Sequence, residues 1–369
     1  MLIIMNKKIY IGAMSGTSHD AVDVSIIEVN NNIKLKYFYS SKIPTRLKEK
    51  IRTVIELNKI SLTDLGKLNK EIGYLFSKAI NKAIIKSKIK KTSVASVSIS
   101  GQTIRHEIEK KYPFSMQIGD PNIVASEVNI PVVSDFRNMH IALGGDGAPL
   151  VPEFHTEIFY KPKCTRIILN IGGISNYSYI KNKKDIWGSD VGPGNAIMDA
   201  YCNKFLNKPF DVGGAIAAKG AINKLELNRL LKNPFFKKPF PKSTGKELFN
   251  LNILSKEFLK LPAQDILATL AEFTVKSLVL AIKKNKHTSS ELIICGGGSK
   301  NKYLVERIKK ELDTKVLLSD DLHLDAQSIE SMAFAWMGYK RMNEQTLKVQ
   351  LGNSKYISGL LGSIVKSKQ

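Results

Sequence analysis

Three glycine-centred turns constrain this chain more than anything else in it. They read IGAMSGTSHDAVD at 11–23, ILNIGGISN at 168–176 and LIICGGGSKN at 292–301. In each, a short apolar or β-branched run leads into glycines and small hydroxyl residues. A chain that leaves a strand in this way offers bare backbone N–H groups to an anion. One such turn is an ordinary strand-to-helix connection. Three of them, far apart in sequence, point to two lobes that grip one nucleotide from opposite sides.

The chain is long enough for two lobes. Its 369 residues are 43% hydrophobic, so each lobe can bury a core. Strand-like runs occur at 10–14, 22–29, 94–99, 130–134, 166–171, 176–180 and 292–295. Helical patterns begin near Pro121 and span 264–283, 302–312 and 328–342. Strands mixed with helices throughout predict α/β layers. The strand–turn–strand pattern of the N-terminus recurs at 166–180. The polar, proline-bearing stretch 233–246 reads as a surface loop.

Composition narrows the class further. No apolar run approaches the ~18 residues that a membrane helix needs, and the first apolar stretch is too short for a signal peptide. Cys164, Cys202 and Cys295 are far apart and odd in number. They give neither a metal-ligand spacing nor a disulfide framework, which points to a reducing cytoplasm. His19, His106, His140 and His155 form no spaced zinc set. The net charge of +23 comes mostly from lysine scattered along the chain. Without an RNA-binding aromatic motif or a helix-turn-helix, it reads as a solvated basic surface and not as a nucleic-acid interface. It can still steer an anionic substrate.

Several side chains suit chemistry. In GSDVGPGN (188–195), Asp190 precedes a glycine-proline turn, with Asn195 as the N-cap of a helical stretch. The carboxylate therefore sits where a strand hands over to a helix, a common place for functional groups in α/β folds. Gln117, Asp120 and Arg137 are the types that hold sugar hydroxyls and a carboxylate, the arginine bidentately. The segment KSTGK at 242–246 looks like the tail of a phosphate-binding loop. It lacks the upstream glycine and a preceding strand, so it is not read as one.

Taken together, the ordered motifs resemble the anhydro-N-acetylmuramic acid kinase family, within the actin, sugar-kinase and heat-shock ATPase superfamily. They are MSGTSxDxxD (14–23), GQTxxH (101–106), QIGDP (117–121), DFR (135–137) and GGxGAPLVPxFH (144–155). LNIGGISN (169–176), DxGPGNxxMDA (190–200), PKSTGxELFN (241–250), ATLxEFT (268–274), ICGGGxxN (294–301) and ESMAFAW (330–336) follow. The resemblance implies two ribonuclease H-like lobes, an actin-like ATPase fold, with ATP in the cleft between them. The expected division is 1–137 and 138–369, with the last residues packing back on the first lobe.

The same resemblance assigns roles. The first turn, from Ser15, Gly16, Thr17 and Ser18 through His19, Asp20, Ala21, Val22 and Asp23, would hold the nucleotide phosphates. Gly172 and Gly173 would approach from the other lobe, and Gly296, Gly297 and Gly298 would cover the adenosine. Magnesium would accompany the nucleotide. Asp20 and Asp23 either position it through water or brace the turn. Asp190 matches the family's general base. Gln102, Gln117, Asp120, Arg137 and Glu330 would face the sugar. The implied reaction opens 1,6-anhydro-N-acetylmuramic acid with water and phosphorylates it to N-acetylmuramic acid 6-phosphate, in cytoplasmic peptidoglycan recycling. A homodimer is left open. A kinase for another sugar and a non-catalytic ATP-binding module are the alternatives on the same fold. Ser100, His19, Ala21, His140 and Gln327 depart from the family pattern, which has histidine, leucine, glycine, aspartate and aspartate there.

Overall fold

The computed structural model describes residues 8–16, 19–108, 111–351 and 355–366. The chain forms two compact units, one of Met1–Ile158 with Ser328–Gln369 and one of Phe159–Gln327. The expected division after Arg137 falls inside a helix, Phe136–Ala142. Unit one begins with strands β1 (Ile9–Met14), β2 (Ala21–Val29), β3 (Ile33–Lys42), β4 (Val94–Ile99), β5 (Gln102–Glu107), β6 (Phe114–Ile118) and β7 (Val132–Ser134). Its helices are α1 (Thr45–Leu57), α2 (Leu62–Ser87), α3 (Pro121–Val128) and α4 (Phe136–Ala142), and α5 (Pro152–Phe159) closes this stretch. Unit two carries β8 (Arg166–Ile171), β9 (Ile174–Ile180), β10 (Ile186–Pro193), β11 (Glu291–Cys295) and β12 (Lys315–Leu318). Helices α6 (Ala196–Leu206), α7 (Lys224–Leu231), α8 (Ala263–Lys284) and α9 (Lys302–Glu311) go with them. The chain then returns to unit one with α10 (Ile329–Met342), β13 (Leu347–Leu351), β14 (Lys355–Gly359) and β15 (Ser363–Val365).

The two units share one topology. Unit one orders its main sheet β15-β7-β4-β1-β2-β3, and unit two orders its sheet β10-β9-β8-β11-β12. In both, the first three strands form an antiparallel meander and two later strands add in parallel beside the first. This is the ribonuclease H-like sheet, present twice. The parallel positions need cover on both faces. Accordingly every residue of β4, β8 and β11 is buried. The echo between the N-terminus and 166–180 is thus the same meander, β1–β2 and β8–β9, with a glycine turn at its first corner.

A helix lies unusually close to the first sheet. Ser98, Gly12 and Ser25 sit side by side across β4, β1 and β2. Helix α10 crosses this row with Ser328, Ser331, Ala335 and Gly338, spaced three and four apart as one helix face requires. A Cβ on Gly12 would stand 1.9 Å from Ser331 O and 2.4 Å from Ala335 N, and one on Gly338 would stand 1.8 Å from Ser98 Oγ. Ser25 Oγ reaches Ser331 Oγ at 2.7 Å and donates to Ser328 O at 3.2 Å. Gly12 therefore meets helix backbone and Gly338 meets the Ser98 side chain, and only glycine fits at either place.

The stretch 233–246 is not a surface loop. Phe235 is 1% exposed and belongs to the core of unit two, with Phe236 and Phe240 packed beside it. The prolines and lysines around them hid three aromatic anchors.

Gly12→Val should cost stability by more than the ~1–3 kcal/mol of ordinary overpacking, because the obstacle is backbone. Gly66→Ala, in α2 with no atom within 4 Å of the new Cβ, should instead stabilise by about 0.5–1 kcal/mol. Denaturant midpoints of the two variants check both signs.

Candidate active site

In unit one the first turn is braced by the GQT segment. Ser15 Oγ donates to Gln102 Oε1 at 2.7 Å, and Ser15 N donates to Ser100 Oγ at 3.2 Å. Gln102 is 1% exposed and its amide donates to Thr103 O at 3.1 Å. Gln102 thus braces the first turn with its amide oxygen, while its amide nitrogen is held by Thr103 O. Ser100 supplies an acceptor to the same turn. His19 takes a left-handed φ of 56° and is buried. Val22 is fully buried in the core and lies opposite Ser41 in the β2–β3 ladder. Asp20 pairs with Lys48 of α1, while Asp23 lies opposite Met14 in the β1–β2 ladder. Thr17 and Ser18 lie outside the described residues.

A second group forms where the β5–β6 hairpin meets α4. Gln117 Nε2 donates to Ser115 Oγ at 2.6 Å, and Ser115 Oγ lies 2.9 Å from His106 Nδ1. Arg137 Nη1 donates to Gly147 O at 2.7 Å, and Gly147 N donates to His140 Nδ1 at 3.0 Å. Burial, helped by the Arg137 charge, pushes both His106 and His140 down to about 4. Both rings are therefore neutral at physiological pH. His140 supplies an acceptor to the glycine turn at 144–147.

Asp120 is occupied elsewhere. It caps α3 by accepting from Asn122 N at 2.8 Å and pairs with Lys70 at 2.6 Å. Burial opposes its ionisation, but Lys70 and the Asn122 donors outweigh it and hold the carboxyl below its ordinary value. Glu330 lies in the first turn of α10, the turn that Ser25 pins to β2.

In unit two the second and third turns adjoin. A Cβ on Gly298 would stand 2.3 Å from Ile171 Cγ2, and one on Gly296 would stand 2.2 Å from Asn170 Oδ1. The carbonyls of Gly172 and Gly173 accept from Asn195 N at 2.8 Å and Ala196 N at 3.1 Å. The first N–H groups of α6 are therefore satisfied inside the protein. Asn195 occupies the N-cap position as expected, but without a side-chain cap bond. Gln327 Oε1 accepts from Lys300, just past the third turn, at 2.8 Å.

Asp190 is 7% exposed, near the end of β10, at a bulge where the pairing to β9 shifts register. Bulges re-aim side chains. Its Oδ2 accepts from Thr244 N at 2.8 Å and from Ser243 Oγ at 3.2 Å. Its backbone N–H donates to Lys242 O at 3.0 Å. The sequence reading missed Ser243 and Thr244 here. The small hydroxyl residues of the KSTG segment were the available signal, since they are the types that donate to an anion.

Residues 8–366 match the family described as AnmK: Anhydro-N-acetylmuramic acid kinase. The chain belongs to the anhydro-N-acetylmuramic acid kinase family. It is 64% identical over 99% of its length to the anhydro-N-acetylmuramic acid kinase of Gamma-proteobacterium EBAC31A08, of which it covers 100%. It is 38% identical to the enzyme of that name from Photobacterium profundum, with 96% of both chains covered. In fold it is similar to the activator of the 2-hydroxyisocaproyl-CoA dehydratase from Clostridium difficile with bound ADPNP, at a TM-score of 0.50 and 13% identity, with 91% of this chain and 96% of that one covered. Membership of the anhydro-N-acetylmuramic acid kinase family makes the chain an ATP-using enzyme of cell-wall recycling that acts on a small sugar. Among the described residues, no helix is long and apolar enough to cross a membrane.

The neutral histidines make acid stability testable. His140 has a folded value of about 4 against 6.5 for a free histidine. Between these values the unfolded chain binds more protons, so stability is full above about 6.5 and falls as pH drops towards 4. His140→Gln keeps an acceptor for Gly147 N–H and removes the titration. The loss of melting temperature between pH 7 and pH 4.5 should be smaller in this variant than in the wild type.

Proposed function

We propose that Asp190 is the general base of the reaction. The observation that carries this reading is a buried carboxylate held by two donors at the end of a strand, on a bulge that aims it. Water attacks the anomeric carbon of the anhydro sugar and gives its proton to Asp190. The C1–O6 bond breaks, and the freed 6-oxygen takes the γ-phosphoryl group from ATP, releasing ADP. An ionised carboxylate suits both the proton and the cation-like carbon. Glu330 and Gln117 face sugar hydroxyls, and Arg137 engages the carboxylate of the muramic acid. Asp120, as a cap and ion-pair partner, supports this region through α3.

The first turn and Gly172–Gly173 meet the phosphates, and the third turn meets the adenosine. Glycine chemistry supports this. A Cβ on Gly16 would meet nothing nearer than Met14 Cε at 3.8 Å, one on Gly172 nothing nearer than Ile174 O at 3.6 Å, and Gly297 is open to 4 Å. Neither strain nor packing among the described residues asks for glycine at these three positions, so close approach of a ligand is the remaining reason. Magnesium fits the same turn. Among the described residues no cluster of three acidic, histidine or cysteine side chains would hold a metal alone. Magnesium ordinarily takes one or two carboxylates with substrate phosphates, and Asp20 and Asp23 provide that number. It would neutralise phosphate charge when bound. We place the enzyme in the cytoplasm, where ATP is available.

Asp190→Asn should fold, bind ATP and lose ~100- to 10,000-fold in turnover. In oxygen-18 water, the residual and wild-type product should carry label at the anomeric hydroxyl and none on phosphate, read by mass spectrometry. Near-normal turnover of the variant, or label on phosphate, overturns the reading.

Gly16→Val and Gly297→Val should keep the wild-type melting temperature and weaken ATP binding. Gly298→Val should lose melting temperature, because its Cβ meets Ile171. Calorimetric titration beside thermal melts separates the two groups.

A further inference from the structure

We propose that residues 241–245 form a strap whose task is to position and ionise Asp190, with Ser243 as the positioning residue. This rests on the reading of Asp190 as base and adds how that base is prepared. The segment looks like the tail of a phosphate loop. Its donors bind an anion of the protein's own making: Thr244 N–H and the Ser243 hydroxyl meet Asp190 Oδ2 at 2.8 and 3.2 Å.

The strap is docked before it reaches the carboxylate. Lys242 N donates to Ser189 Oγ at 2.9 Å, and Lys242 O accepts from Asp190 N at 3.0 Å and lies 3.0 Å from Ser189 Oγ. The Lys242 side chain turns to the core and donates to Phe235 O at 2.9 Å, with its ammonium 4.1 Å from the Phe235 ring centre. The backbone ties on one side and this anchor on the other fix where the Ser243 and Thr244 donors point. A carboxylate held by such donors favours its charged form. It also keeps one orientation, as a base that must meet one water requires.

Charged and titratable groups occur on the elements packed around the strap. Burial is the main cause that lowers Lys242 to about 8, and the charges of Lys284 and Lys238 lower it further. Helix α8 meets β10 through Ser277, beside Gly192, and Thr274, whose hydroxyl donates to Gly194 O at 3.0 Å. Its charged neighbours Glu272 and Lys276 pair with Arg307 and Glu311. On β9, Tyr177 lies opposite Ser189 and burial keeps its hydroxyl protonated. Lys246 follows the strap, and Lys237 ends the short helix Pro234–Lys237 before it.

The test is the pH profile of kcat for purified full-length variants with the anhydro sugar and ATP. Ser243→Ala should lower kcat by about tenfold, as loss of a hydrogen bond to a charged group predicts, and leave the sugar KM within about twofold. Its acid limb should move up by about one pH unit, since the donor that favoured ionisation is gone. Ser243→Thr should restore both, and Ser243→Cys, a weaker donor, should fall between. Ser243→Ala should add nothing in an Asp190→Asn background. An unmoved acid limb in Ser243→Ala and Ser243→Cys, with Asp190→Asn inactive, overturns the strap and leaves the base intact. Full turnover in Asp190→Asn overturns the base itself.

Discussion

Unit one depends on a contact made almost without side chains. Ser98, Gly12 and Ser25 make a flat row across three strands, and α10 lies on it with Ser328, Ser331, Ala335 and Gly338. Close packing of this kind leaves little freedom to rotate the helix, because a Cβ on Gly12 would meet the backbone of Ser331 and Ala335 and one on Gly338 would meet the Ser98 side chain. The strand that supplies Gly12 ends at Met14 and enters the first turn, and the helix carries Glu330 in its first turn. One packing seam thus fixes where a proposed phosphate turn and a proposed sugar contact begin.

Unit two reaches the same end with its turns. Gly296 and Gly298 are there for packing against Asn170 and Ile171, and Gly194 for packing against Gly172, whose carbonyl would lie 2.2 Å from an added Cβ. The turns after β8 and β11 and the start of α6 therefore brace one another. A Cβ on Gly172 or Gly297, by contrast, would meet nothing nearer than 3.6 Å. Ionic anchoring adds to this: Arg307 of α9 holds the buried Glu272 of α8 through two bonds of 2.8 and 2.9 Å. A buried pair with this fork geometry sets orientation more than it adds stability. Here it sets α9, which follows directly from the third turn.

Much of this was legible in the sequence. The buried strands β4, β8 and β11 announce themselves as short apolar runs, and the glycine turns mark their ends. Helices α8 and α10 follow from long periodic stretches without proline or internal breaks. What stayed hidden depends on three-dimensional neighbours. Spacing cannot show that Gly12 faces a helix more than three hundred residues later, or that Gly296 serves packing while Gly297 does not. The Asp190 bulge leaves no compositional mark. Stretch 233–246 misled because prolines and lysines outnumber the three phenylalanines that bury it. Asp120 fitted two roles by residue type, and only Lys70 and Asn122 reveal its cap and ion pair.

Unit one is discontinuous, and that orders its synthesis. Its first 158 residues leave the ribosome without α10 and β15, while unit two, Phe159–Gln327, is a continuous segment. At ~5–20 residues per second, the interval before Ser328 appears is on the order of ten to thirty seconds. Through that interval the Ser98–Gly12–Ser25 row has no helix over it, and the edge of β7 lacks its partner β15. A sheet left uncovered, with an open edge of unpaired backbone N–H and C=O groups, is the kind of surface that misassociates. The last forty or so residues thus act as a late-arriving lid on the first half of the chain, and nascent chains stalled inside unit two would be the natural clients of a chaperone.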